Sequence, residues 1–158
     1  MEVNNLVTFL INNNMNQWFT VKVKYTKELD NGTFKRVSEP YLLAALTFTD
    51  AEARIYEELA TFIKGEFNVL SIARTELHDI FAFDDAEIWY KAKISYKSEC
   101  LDRESEKKVK QNFLVSAHSV KDAYDRIKES LSTLMIDFQI ESVVKSPIVD
   151  IFPFTEQN

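Results

Sequence analysis

The feature that most constrains this chain is that it says the same thing twice. Trp18-Phe19-Thr20-Val21-Lys22-Val23-Lys24-Tyr25 is echoed by Trp89-Tyr90-Lys91-Ala92-Lys93-Ile94-Ser95-Tyr96, and Asp79-Ile80-Phe81-Ala82-Phe83 by Asp150-Ile151-Phe152-Pro153-Phe154, both 71 residues on. Between them Asp50-Ala51, Arg54-Ile55, Glu57 and Leu59 match Asp122-Ala123, Arg126-Ile127, Glu129 and Leu131 at an offset of 72. One residue therefore enters the second hairpin and one leaves after the second helix. Self-similarity at a fixed period marks a fold built from a repeated supersecondary unit, here residues 18–83 and 89–154, joined by Asp84-Asp85-Ala86-Glu87-Ile88.

Each copy reads as β-β-α-β, with room for a closing strand. Trp18 to Lys27 alternates apolar and polar residues, the period of a half-buried strand, and Leu29-Asp30-Asn31-Gly32 supplies a turn whose Asn-Gly tolerates positive φ. Val37 to Ala45 returns as the second strand. Thr47 with Asp50, or Thr49 with Glu52, offers an N-cap for a helix that Gly65 ends, with Ala51, Ile55, Leu59 and Phe62 on its apolar face. Ala123, Ile127, Leu131 and Leu134 repeat that face. Phe67 to Ile72 is a third strand and Leu77 to Phe83 a short fourth. The expected class is α+β: two tandem repeats about a pseudo-two-fold axis, with antiparallel strands forming one sheet or two and the helices on one face. A 66-residue unit with one helix covers little core alone, so the copies are expected to pack together. Residues 1–17 precede the repeat as a short docking helix or a frayed end, and residues 155–158 are a tail.

Composition narrows the chemistry. Aliphatic and aromatic residues make up 46% of the 158 and charged residues 28%, enough to bury a core. Gly32 and Gly65 are the only glycines, which removes phosphate-cradling and dinucleotide loops, since these need several close glycines to let backbone approach the ligand. A lone Cys100 rules out an internal disulfide and fits a reducing cytoplasm. The first ten residues carry no Lys or Arg ahead of an apolar stretch broken by asparagines, so neither a signal peptide nor a membrane span is expected. The net charge of −6 argues, as an average, against unspecific adhesion to nucleic acid or to anionic membrane.

No catalytic, metal or cofactor set is expected. His78 and His118 are not at matching positions and have no ligand-like spacing. Cys100 falls in the second hairpin turn near Glu99 and Asp102, which raise a thiol pKa rather than activate it. Asp79 and Asp150 match across the copies, but an Asp at such a corner most often bonds its own backbone, and that reading is preferred to an acid/base pair.

The outer sheet face is the candidate binding surface. With Phe19, Val21, Val23 and Tyr25 turned to the helix, Trp18, Thr20, Lys22 and Lys24 face away. Arg36 joins them in the first copy; Trp89, Lys91 and Lys93, with Lys108 and Lys110 from the paired strand, form the second set. The helices meanwhile carry acid: Asp50, Glu52, Glu57 and Glu58 in the first, Asp122, Asp125 and Glu129 in the second. Lysines around an exposed aromatic are what a single-stranded nucleic-acid platform uses. Equally, lysines guard strand edges and each Trp could seal a seam between the copies. The expectation is a non-enzymatic module that binds a protein partner or self-associates through this face; the alternative is binding of single-stranded nucleic acid or a phosphorylated small ligand.

Trp18 to Tyr25, Ser38-Glu39-Pro40-Tyr41-Leu42, Phe48 to Arg54, Gly65-Glu66-Phe67 and Asp150-Ile151-Phe152-Pro153 together resemble an uncharacterised domain family of gut Bacteroidetes bacteria and their phages. The resemblance runs from Met15 onward and implies a setting alone: an intracellular protein of such a bacterium, of a phage or of another mobile element, in the cytoplasm of the bacterial cell or of a phage-infected host. It brings no catalytic residues.

Overall fold

The computed structural model describes residues 6–8, 17–98 and 107–154. In chain order the elements are β1 (Leu6–Thr8), β2 (Gln17–Glu28), β3 (Phe34–Ala45), α1 (Phe48–Leu59), β4 (Phe67–Thr75), β5 (Asp79–Phe83), β6 (Ile88–Ser98), β7 (Lys107–Ala117), α2 (Val120–Leu131), β8 (Phe138–Lys145) and β9 (Ile151–Phe152). The class is α+β, as the alternation and helical spacing predict, with two sheets in place of the one-or-two left open above. They run β1-β5-β7-β6-β8 and β4-β2-β3-β9.

The long hairpins follow from strand chemistry. β2 pairs antiparallel with β3 from Gln17↔Ala45 to Glu28↔Phe34, and β6 with β7 from Ile88↔Ala117 to Ser98↔Lys107. Gly32 closes the first turn at φ 80°, a value that costs a side-chain-bearing residue. The second strand begins at Phe34, three residues before the expected Val37, because the Asn31 side chain caps Thr33 and tightens the turn. Residues 99–106, including Cys100, lie outside the described residues.

Each helix starts on a residue type whose side chain accepts from a first-turn amide. Thr47 Oγ1 accepts from Asp50 N at 3.1 Å, and Ser119 Oγ accepts from Asp122 N at 3.0 Å. Asp50 and Asp122 reach back to Leu46 N and His118 N, completing reciprocal caps. Of the two N-caps offered by the sequence, Thr47 is the one used. The helix end differs from expectation: α1 stops at Leu59, and Gly65, at φ 99°, opens the turn into β4 instead. The chain turns off the helix axis there, so Ile63 packs on the core while Phe62 is 66% exposed. Leu134, its counterpart, is exposed likewise.

Two compact units result, Ile11–Glu76 with Pro147–Asn158, and Leu77–Ser146 with Met1–Leu10. In the first, Ala51, Ile55 and Leu59 of α1 pack on Phe19, Val21 and Val23 of β2 and Tyr41, Leu43 and Ala45 of β3. In the second, Ala123, Ile127 and Leu131 of α2 pack on Tyr90, Ala92 and Ile94 of β6 and Phe113, Val115 and Ala117 of β7. The expectation of helices on one sheet face therefore holds within each unit, and burying these side chains away from water is the main stabilising term.

The closing strands change places. β5 follows the first copy yet lies parallel to β7 of the second, with Ile80↔Leu114; β9 follows the second copy yet lies parallel to β3 of the first, with Leu43↔Phe152. The sheets are thus mixed, a correction to the expected antiparallel arrangement: a strand that reaches its neighbour through a long connection can run either way. Phe81 and Phe152 enter the cores of the units they join. Residues 6–8 form a strand antiparallel to β5, neither helix nor frayed end at that point.

Candidate functional site

Alternation along β2 and β6 decides what the face away from the helices displays. In the unit built on β2, Lys22 and Arg36 are exposed and Lys24 is half-buried. Lys22 stands across from Pro40 and Ser71, Lys24 across from Ser38 and Asn68, and Arg36 across from Thr26. Phe34, at the hairpin end on the same face, is 70% exposed and two residues from Arg36. The sequence reading overlooked it because it began the strand at Val37; the alternation, run back from Pro40 through Ser38 and Arg36, carries the signal.

Trp18 is the main correction to the expected site. It is 6% exposed and cannot serve as an open stacking platform. The cause lies in β3: Tyr41-Leu42-Leu43-Ala44-Ala45 is apolar at every position, the pattern of a strand buried on both faces. Trp18 pairs with Ala44 and Thr20 with Leu42, at the buried end of the sheet. β7 repeats the pattern with Phe113-Leu114-Val115-Ser116-Ala117, and Trp89, opposite Ser116, is half-buried.

In the unit built on β6, Lys91, Lys93, Lys108 and Lys110 are all exposed. Lys110 pairs with Ser95, and Lys108 pairs with Lys97, so cations adjoin along both strands. Among the described residues of these strands, the carboxylate that meets the cluster is Glu141, at the β-bulge of β8 opposite Lys93 and Ile94. It bonds Lys108 Nζ at 2.8 Å and accepts from the buried Ser95 hydroxyl. These contacts, Lys108 first and then Ser95, hold its carboxyl below the usual range. The matching bulge residue in β4 is Leu70, which is 51% exposed.

The other singled-out groups are structural in their contacts. Asp79 Oδ1 and Asp150 Oδ1 each accept from the next backbone amide at 2.8 Å, as a corner-forming Asp does. Burial pushes the Asp79 carboxyl up. His78 lies edge-on to Phe113 at 5.2 Å, and His118 Nε2 meets Asp85 at 3.2 Å. No three His, Cys, Asp or Glu gather into a metal-holding group among the described residues. None of the described helices is long and apolar enough to cross a membrane.

One polar cluster went unnoticed in the sequence. Glu39 accepts from Tyr25 Oη at 2.7 Å and Tyr41 Oη at 3.1 Å, with Lys27 Nζ at 3.4 Å. In the second copy Tyr96, Gln111 and Phe113 stand at these places, leaving one long contact from Gln111 Nε2 to Tyr96 Oη at 3.4 Å. The two copies keep their apolar cores and diverge in their polar contacts and outer faces.

No curated protein matches the chain. From residue 17 to residue 154 the sequence matches the family described as Domain of unknown function (DUF4494), from the start of β2 to the segment just past β9. With the whole repeat pair inside that match, the chain belongs to the DUF4494 family.

Proposed function

We infer that the chain is a non-enzymatic interaction module that holds an acidic protein surface against the lysine-bearing face of its sheets. The observation carrying this reading is the exposed set Lys91, Lys93, Lys108 and Lys110, met among the described residues of its strands by Glu141, in a chain whose net charge is −6. Segregating cations on one face against the overall charge gives a directional field that speeds encounter with an acidic partner and fixes its orientation. Self-association of two such faces is disfavoured, because an isologous contact sets lysines against lysines. The module acts in the cytoplasm of a Bacteroidetes bacterium or of its phage-infected cell, the setting implied by the family resemblance.

Titration with poly-L-glutamate at low and moderate salt tests the reading. Binding that weakens steeply with salt and is lost in a Lys91→Glu, Lys93→Glu chain supports it; equal binding by that variant, or none at low salt, overturns it.

A second reading rests on a different observation, the exposed Phe34 ring two residues from the exposed Arg36 on the same strand face. That pair suits single-stranded nucleic acid, with a base stacked on the ring and a phosphate on the guanidinium. A labelled oligothymidylate distinguishes the two: Phe34→Ala weakens oligonucleotide capture and leaves polyglutamate binding unchanged.

A further inference from the structure

The two closing segments are held by similar grips. On the β3 side, Val149 N donates to Pro40 O at 3.0 Å, Leu42 N to Asp150 O at 3.1 Å, and Ile151 and Phe152 lie parallel to Leu42 and Leu43. Phe152 stacks on Tyr41 at 5.8 Å, and Arg54 donates to Pro153 O at 3.2 Å with its guanidinium 5.8 Å from the Phe154 ring. On the β7 side, His78 N donates to Asn112 O at 2.7 Å, Phe81 stacks on Phe113 at 5.8 Å, and Arg126 lies over Phe83. Each slot reads the segment Asp-Ile-Phe-x-Phe by parallel backbone pairing, one buried Phe and one Arg.

Three facts bear on how such a slot behaves. The ladder of β9 covers two residue pairs, against twelve in the β2–β3 hairpin, so the closing segment is the smallest paired element of its sheet. It is tethered to β8 by the five residues 146–150, Pro147 among them. And the slot's occupant comes from the other sequence copy, so the contacts do not depend on local chain continuity.

We propose that the slot beside β3 is a strand-acceptor site for the Asp150–Phe154 segment of a second copy of this chain, giving a dimer in which the closing segments are exchanged. Every contact of the closed monomer is remade between chains, which is the condition for exchange at low cost. The dimer is favoured where chain concentration competes with the tether's effective concentration.

The full-length chain, unfolded and refolded over a range of concentrations, is sized by light scattering. The expected result is a dimer whose share rises with concentration during refolding and which persists after dilution. A Phe152→Asp chain, unable to donate, stays monomeric under the same conditions, while its empty slot captures a fluorescein-labelled peptide of residues 147–154 more strongly than the wild-type chain does. The same peptide with its first Phe replaced by Ser is the control. Monomer alone at every refolding concentration, or a dimer that forms equally well with Phe152→Asp, overturns the proposal. Should that variant not fold, equal capture of the native and Ser-substituted peptides by the wild-type chain overturns it as well.

Discussion

The guanidinium of Arg126 lies 4.5 Å from the centre of the Phe83 ring, joining the second copy's helix to the first copy's closing segment. From the same position it donates to Ser116 O at 3.1 Å and to both oxygens of Asp85 at 2.9 and 2.7 Å. Arg54, its match in the first copy, bonds Ala44 O and Pro153 O and faces Phe154. An Arg suits this place because a planar fork can bond carbonyl and carboxylate while its flat side covers a ring.

Arg126→Ala is expected to lower the unfolding free energy by about 2 kcal/mol, the size of a charge-assisted bond together with a cation–π contact. Arg126→Lys recovers less than half of that, since an ammonium cannot serve ring, carbonyl and carboxylate at once. Urea unfolding measures both, and a Lys variant as stable as wild type would show that charge alone matters there.

Acid should weaken this junction in a defined window. The Asp85 carboxyl is drawn down to about 2, first by its bond to Arg126 and then by that to His118. A folded-state value below the ordinary carboxylate value of about 4 means the contact stabilises fully above that value and is lost as pH falls toward 2. Asp85→Asn should therefore be less stable than wild type at neutral pH, and the difference should shrink below about pH 4. A gap that stays constant from neutral pH down to about pH 2 contradicts this account.

The Glu39 cluster makes the opposite prediction at alkaline pH. Burial, with Glu39 adding to it, pushes the Tyr25 hydroxyl up to about 12, and burial raises Tyr41 as well, with Tyr25 and Glu39 contributing. A raised folded value gives stability that is present below the ordinary tyrosine value of about 10 and is lost as pH rises through 12. At about pH 11 at least two of the six tyrosines should resist ionisation, followed by tyrosinate absorbance. Tyr25→Phe should leave the absorbance at that pH unchanged, and a fall would show that Tyr25 ionises normally.

Phe34→Ala should separate binding from folding. An exposed ring contributes little to the core, so stability should move by no more than about 0.5 kcal/mol. If a base stacks there, oligonucleotide affinity should drop by about 1–3 kcal/mol in the same variant. Unchanged affinity in a chain that does bind oligonucleotide removes Phe34 from the contact.

Much of the architecture was legible because it is locally encoded. Alternation from Trp18 to Lys27 set the helix-facing residues Phe19, Val21 and Val23, and Thr47 with Asp50 was one of two caps the sequence offered for the first helix start. The helix end was misread, since Gly65 satisfies a C-terminal signal in sequence while the chain uses its positive φ six residues beyond Leu59. Within the site, exposure of Lys22, Lys91 and Lys93 followed from alternation. Trp18 did not follow it, although the unbroken apolar run at Leu42 to Ala45 held the clue.

The sequence by itself determined the hairpins, the helix starts, and which side of each strand carries charge, because these depend on residues a few positions apart. Tertiary structure alone decided that Phe81 and Phe152 cross into the other copy's core. Those outcomes depend on pairings between residues far apart in the chain, as Leu43 with Phe152, where two short strands of nearly identical sequence could fill either slot and no local pattern distinguishes them.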